Sequence, residues 1–207
     1  NFNAASGRIE AAFDASVSPT VPDREGVSAA GNLAVTARAG SFTLERAVVR
    51  SQHSELSATG PITRSGSAAL DVSFRSDDMS EVWRAVEAFG VITDEVKEQY
   101  EIGLSGTGEF KGRFEGTVSD PKLNGHLKLE SIQLHNEQAG AFEGNISYSP
   151  TLITIDNGSL VREDDTRADF TINAPLKAEN SVSVKATVQG FDISTIIRAI
   201  EPKMSDF

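Results

Sequence analysis

GTGEFKGRFEGTVSDPKLNGHLKLE, residues 106–130, is the stretch on which the fold turns. Phe110, Phe114 and Val118 alternate with Lys111, Arg113 and Glu115, and after Asp120-Pro121 the pattern resumes with Leu127 and Leu129 among His126, Lys128 and Glu130. Apolar residues at even spacing belong to a strand with one buried face, whereas a helix needs spacings of three and four. Two long antiparallel strands are expected, meeting near Asp120-Pro121. Ile132 and Leu134 fall on the opposite parity from Leu127 and Leu129, so a bulge near Ser131 is needed to keep all four on one face. The glycines at 103, 106, 108, 112 and 116 sit in alternating strand, not in the strand-turn-helix setting that cradles phosphate, and mark bends and close backbone approach in a curved sheet.

The same period extends to both sides. Ile9, Ala11, Phe13, Ala15 and Val17 form a first strand, which Pro19, Pro22 and the charged run 23–26 interrupt. Leu33 and Val35, then Phe42 and Leu44, Val48 or Val49, Leu56 and Ala58, and Leu70, Val72 and Phe74 continue a meander of five strands. Further on come Ile146 and Tyr148, Ile153 and Ile155, Leu160, Phe170 and Ile172, and Val182, Val184 and Val188. Asn157-Gly158 reads as a hairpin turn between Ile155 and Leu160.

DMSEVWRAV (78–86) and DISTIIRAI (192–200) match at an offset of 114, which also pairs Gly60-Pro61-Ile62 with Ala174-Pro175-Leu176. Met79, Val82, Trp83 and Val86 in the first segment, and Ile193, Ile196, Ile197 and Ile200 in the second, follow the i, i+3, i+4, i+7 spacing of one helix face. Asp78 and Asp192 stand where a carboxylate caps a helix start. The expected fold is therefore mainly β. It consists of curved antiparallel sheet from two duplicated meander units, of β-taco, half-barrel or barrel-like form, each ending in a short amphipathic helix. The units span 1–90, with a helix at about 78–89, and 103–207, with a helix at about 192–200. Residues 91–102 link them, the tail 94–100 is helical with Thr93 or Asp94 as its cap, and the two units can also form one continuous domain.

Composition narrows the function. Nineteen Lys and Arg against 30 Asp and Glu leave a net charge of −11, which repels nucleic acid and anionic lipid head groups alike but has no bearing on contact with acyl chains. The absence of cysteine removes disulfides, thiol catalysis and thiolate metal sites. The chain opens on Asn1 without a basic-then-apolar leader and holds no apolar run of the roughly 20 residues that span a bilayer. It is read as a segment of a longer parent whose membrane anchor lies elsewhere. His53, His126 and His135 have no nucleophile, carboxylate or second histidine at a site-forming spacing and are expected to be solvated. Glu163-Asp164-Asp165 lacks the spaced oxygen ligands and glycine of a calcium loop and reads as a solvated turn. No enzyme, cofactor or metal centre is expected.

Residues 106–130, with the helix-preceding segments 76–80 and 190–194, resemble the AsmA-like and TamB family of bacterial envelope proteins, and the resemblance extends over residues 31–200. Members are anchored in the inner membrane and cross the periplasm as a long curved sheet with an apolar face. The resemblance implies a periplasmic segment that binds phospholipid or other acyl chains and supports lipid transport between the inner and outer membranes. The groove is expected from Phe110, Phe114, Val118, Leu127, Leu129, Ile146, Phe170, Ile172, Val182 and Val184, with Met79, Val82, Trp83, Val86, Ile193, Ile196, Ile197 and Ile200 as a helical cover. The alternatives are a scaffold or chaperone that offers strand edges to outer-membrane β-barrel proteins, and a closed structural spacer.

Overall fold

The computed structural model describes residues 7–17, 27–38, 41–88, 103–134, 137–162, 166–176 and 183–189. Among them, eleven strands form one antiparallel sheet in which each strand pairs with its sequence neighbours, β1 through β11 in order. The strands are β1 Gly7–Val17, β2 Val27–Arg38, β3 Ser41–Arg50, β4 Ser54–Thr63, β5 Ala68–Ser76, β6 Gly103–Thr117, β7 Asp120–Leu134, β8 Glu137–Ser149, β9 Leu152–Val161, β10 Arg167–Pro175 and β11 Ser183–Gln189. One helix, α1 at Met79–Ala88, follows β5. The sheet is open and curled, with β1 and β11 at its ends. Its ladder is unbroken across the expected boundary, because β5 pairs with β6 from Ala68↔Gly116 to Ser76↔Gly108.

Period-two sequence becomes two chemically distinct faces because residues opposite one another in an antiparallel ladder point the same way. One row runs Ala11, Leu33, Ala47, Ala58, Val72, Gly112, Gly125, Ile146, Ile155, Ile172, Val184 across all eleven strands. A parallel row runs Val49, Leu56, Phe74, Phe110, Leu127.

Bulges keep this sorting intact where the sequence slips. Leu129 pairs with Phe142 and Ile132 with Gly140, so one extra residue at Glu130-Ser131 returns Ile132 to the apolar face, as its parity requires. Against β6 the extra residue lies on the other strand, at Gly106-Thr107, where Gly106 has φ of +71°.

Asn157-Gly158 corrects the reading of a hairpin turn: both residues lie inside β9. Asn157 takes a left-handed φ of 52°, and the three-residue step from Ile155 to Gly158 faces the two-residue step from Ile172 to Phe170. The left-handed residue is absorbed as a bulge, since Leu160 on one side and Ile155 on the other each still have a partner on β8.

The expected duplication is not confirmed: the strands form one continuous meander, and the ladder does not keep a constant offset. Ala58 faces Val72, whereas Ile172, its counterpart at 114, faces Val184 and not Ala186. The second expected helix, 192–200, and the linker helix lie outside the described residues.

Candidate functional site: the apolar face

α1 begins where β5 ends. The Asp78 carboxylate accepts a 2.9 Å hydrogen bond from the Ser80 amide, capping the first turn. The hydrogen bonds from Ser80 and the charges of His53 and Arg84 hold the Asp78 carboxyl below its ordinary range. The cap aims Met79 at β6, where a side chain at Gly108 would collide with the Met79 thioether, so glycine is what lets the helix approach. Met79, Leu129 and Phe142 form the buried cluster, with Phe74, Val82, Leu127, Ile146 and Phe170 packed against it. The Phe142 and Phe170 rings stand 6.0 Å apart, tilted by 31°.

Away from that cluster the cover of the apolar face is uneven among the described residues: Leu44, between Val35 and Gly60, is buried, and others are open. No described side chain is fully buried; Leu56 is 43% exposed and Val184 53%. Several aromatic rings also lie down on the sheet. The tip of Phe110 occupies the space that a Cβ would need at both Gly112 and Gly125, the Phe142 ring does so at Gly144, and the Phe170 ring at Gly158. The recurring Phe-x-Gly pattern at 110–112 and 142–144 therefore flattens the apolar layer.

The expected groove residues divide accordingly. Phe110 and Leu127 pair directly, Phe114 stands between Leu70 and Leu123, and Ile146, Ile155, Ile172 and Val184 share one row. Leu129 and Phe170 belong to the cluster under α1. Val118 does not join them: it sits in the β6–β7 turn and is 95% exposed, because the strand stops at Thr117. Of the helical cover, Met79 is buried, Val82 packs on the cluster and Trp83 is half-buried. Val86 lies in α1 without a described side chain. Val182, Ile193, Ile196, Ile197 and Ile200 lie outside the described residues.

The opposite face carries a feature that sequence reasoning missed. Arg50, Glu55, Arg75, Glu109, Lys128 and Glu143 occupy one row over six strands, alternating in sign at every step. Arg50 bonds Glu55 at 2.6 Å and Lys128 bonds Glu143 at 2.9 Å. Of the three histidines read as solvated, His126 and His53 have partners at exposed positions, and His135 lies outside the described residues. His126 Nε2 lies 2.9 Å from Glu143 and its Nδ1 3.0 Å from Asn145, while His53 Nδ1 lies 2.8 Å from Asp77. Hydrogen bonds from Lys128 and then His126 hold the Glu143 carboxyl below its ordinary range. The signal was present in the register, since each partner stands across a hairpin rather than nearby in sequence. A shallow trough of about 880 Å³ on this face is lined by Arg75, Glu109, His126, Lys128, Glu143 and Asn145. Its Lys128, His126 and Glu143 side chains are already engaged with one another, so the trough has less to offer a ligand than the apolar face. Among the described residues, no three His, Asp or Glu side chains are placed to hold a metal ion.

Fold and site define an open, two-faced antiparallel sheet with one helix seated on its apolar side. No family model matches the chain, and no curated protein or solved structure matches it either.

Proposed function

We propose that this chain is a non-enzymatic, lipid-binding segment of a periplasmic envelope protein similar to AsmA-like and TamB proteins. Its parent is anchored in the inner membrane outside these residues, and it supports phospholipid movement between the two membranes. The observation that carries this reading is the apolar face itself, with a row of Ala, Leu, Val, Gly and Ile running from β1 to β11, a second row of Val, Leu and Phe across β3 to β7, and exposed members such as Leu56 and Val184. Apolar rows left open to water among the described residues call for a partner. Rings laid flat over glycines leave room for a chain to lie against the sheet, and each acyl CH2 removed from water contributes about 0.8 kcal/mol.

Titration of a fluorescent phospholipid analogue into the purified protein tests the reading. Saturable binding is expected, weakened about tenfold or more by Leu56→Asp or Val184→Asp, because an ionised carboxylate on the contact surface must be desolvated. Lys111→Asp on the opposite face leaves it unchanged. Absence of binding, or equal losses from both faces, contradicts the proposal.

A second reading rests on a separate observation. β1 and β11 end the sheet order among the described residues, and their outward edges suit strand addition by an outer-membrane β-barrel client. Crosslinks to clients at β11, without lipid on the apolar face, favour that scaffold role.

A further inference from the structure

The attachment of α1 is unlike an ordinary helix-on-sheet contact. Glu81, in the first turn, is only 8% exposed, and its carboxylate reaches away from the helix to the β3–β4 turn. There it accepts hydrogen bonds from Ser51 Oγ at 2.7 Å, Ser54 Oγ at 2.8 Å and the His53 amide at 3.3 Å. Ser54 Oγ, its own proton given to Glu81, lies 3.0 Å from Ser76 Oγ and can accept from it, and Ser76 Oγ in turn accepts from the Asp78 amide at 3.2 Å. The Asp77 amide donates to the His53 carbonyl at 3.0 Å. The first turn of α1 and the β3–β4 turn are thus joined by three hydrogen bonds that converge on the Glu81 carboxylate, and the residues just before the helix add the Asp77–His53 and Ser76–Ser54 links beside them.

The position matters as much as the bonds. Met79 lies over Gly108, and Ser76, Gly108, Leu129, Phe142 and Leu160 form one row near the same end of their strands. The opposite end of the apolar face, at Phe42, Ile62 and Ala68, has no described helix upon it.

We propose that α1 is a latched end stop: it closes the Met79–Leu129–Phe142 end of the apolar face and is held shut by the grip of Glu81 on Ser51, His53 and Ser54. Releasing that carboxylate frees the helix to lift, and the closed end then opens while the sheet stays intact. This gives the face a direction, with an occupant entering from the Phe42 end and stopping at Met79. That direction rests on the lipid reading; the latch does not.

Hydrogen exchange followed by mass spectrometry, without lipid, tests the latch. Glu81→Gln keeps the shape but removes the charge, and amides of 79–88 are expected to exchange about tenfold faster or more while those of β6–β8 keep their protection. Ser51→Ala combined with Ser54→Ala keeps the carboxylate, removes two of its donors and is expected to act in the same direction by about threefold. Because the chain has no cysteine, Val82→Cys supplies a second readout, its thiol labelling faster when Glu81→Gln is added. Unchanged protection of α1 overturns the proposal, and so does an equal loss over the whole sheet, which makes Glu81 a general element of stability. Lipid titration is read separately, so a working latch with no lipid binding removes the lipid reading and leaves the latch.

Discussion

The two faces of this sheet share every strand and differ at alternate residues, yet they meet different demands. On the charged face neighbours satisfy one another: Arg50 with Glu55, Arg113 with both Asp71 and Glu115, and Lys128 with Glu143. On the apolar face satisfaction is uneven. It is complete under α1, where Phe142 is 6% exposed, and at Leu44, also 6%, but incomplete at Leu56 and Val184. A charge can be matched by one opposite charge across a hairpin, whereas an apolar surface needs a second layer, and among the described residues α1 supplies one over one end. Register on the charged face and vacancy on the apolar face are therefore two results of the same alternation.

The contrast can be broken most severely under α1. Phe142→Ala removes a ring from the buried cluster and is expected to cost about 3–5 kcal/mol in urea unfolding; a cost under about 1 kcal/mol would mean that the cluster does not organise the sheet. Gly112→Ala comes next. Its Cβ would collide with the Asn124 carbonyl oxygen and lie 2.6 Å from the Phe110 ring. A loss of up to about 3 kcal/mol is expected, with the ring forced up from the sheet, and the Phe110 ring chemical shifts in NMR spectra report that movement directly.

Glu81→Gln is expected to cost about 2 kcal/mol at neutral pH, in the range for hydrogen bonds to a charged group. Burial works to raise the Glu81 carboxyl, but the bonds from Ser51, Ser54 and the His53 amide outweigh it, and the group titrates below its ordinary value of 4.5. A carboxyl depressed in the folded state contributes its stability fully above pH 4.5 and loses it as pH falls through the lower folded value. The difference between wild type and Glu81→Gln should thus be constant at neutral pH and shrink in acid. A difference that grows in acid would reverse the assignment.

The smallest effect belongs to the charge ladder. Lys128→Glu is expected to lower the thermal midpoint slightly, and adding Glu143→Lys to recover it, because exposed pairs contribute little singly but discriminate in sign. Failure of the exchange to recover the midpoint would show that these charges do not read one another across the hairpin.

Much of the fold was legible because alternation is local. Phe110, Leu127, Ile146 and Ile172 declare their face within a few residues, and the parity clash between Leu129 and Ile132 located a bulge. What escaped depends on pairing between strands. Asn157-Gly158 has the composition of a hairpin turn, and only the partners on β8 and β10 make it a bulge. Val118 continues the parity of Phe114 but lies past the strand end, where parity has no meaning. The Lys128–Glu143 bond and the grip of Glu81 on Ser51 join residues 15 and 30 positions apart, distances at which sequence spacing carries no geometric information.

The most direct test of the central claim is native mass spectrometry with lipid extraction on protein purified gently from a bacterial host. The account predicts a bound phospholipid mass that disappears in Leu56→Asp and persists in Lys111→Asp, with both variants folded. A clean mass for the unmodified chain, or lipid that remains on Leu56→Asp, would contradict it.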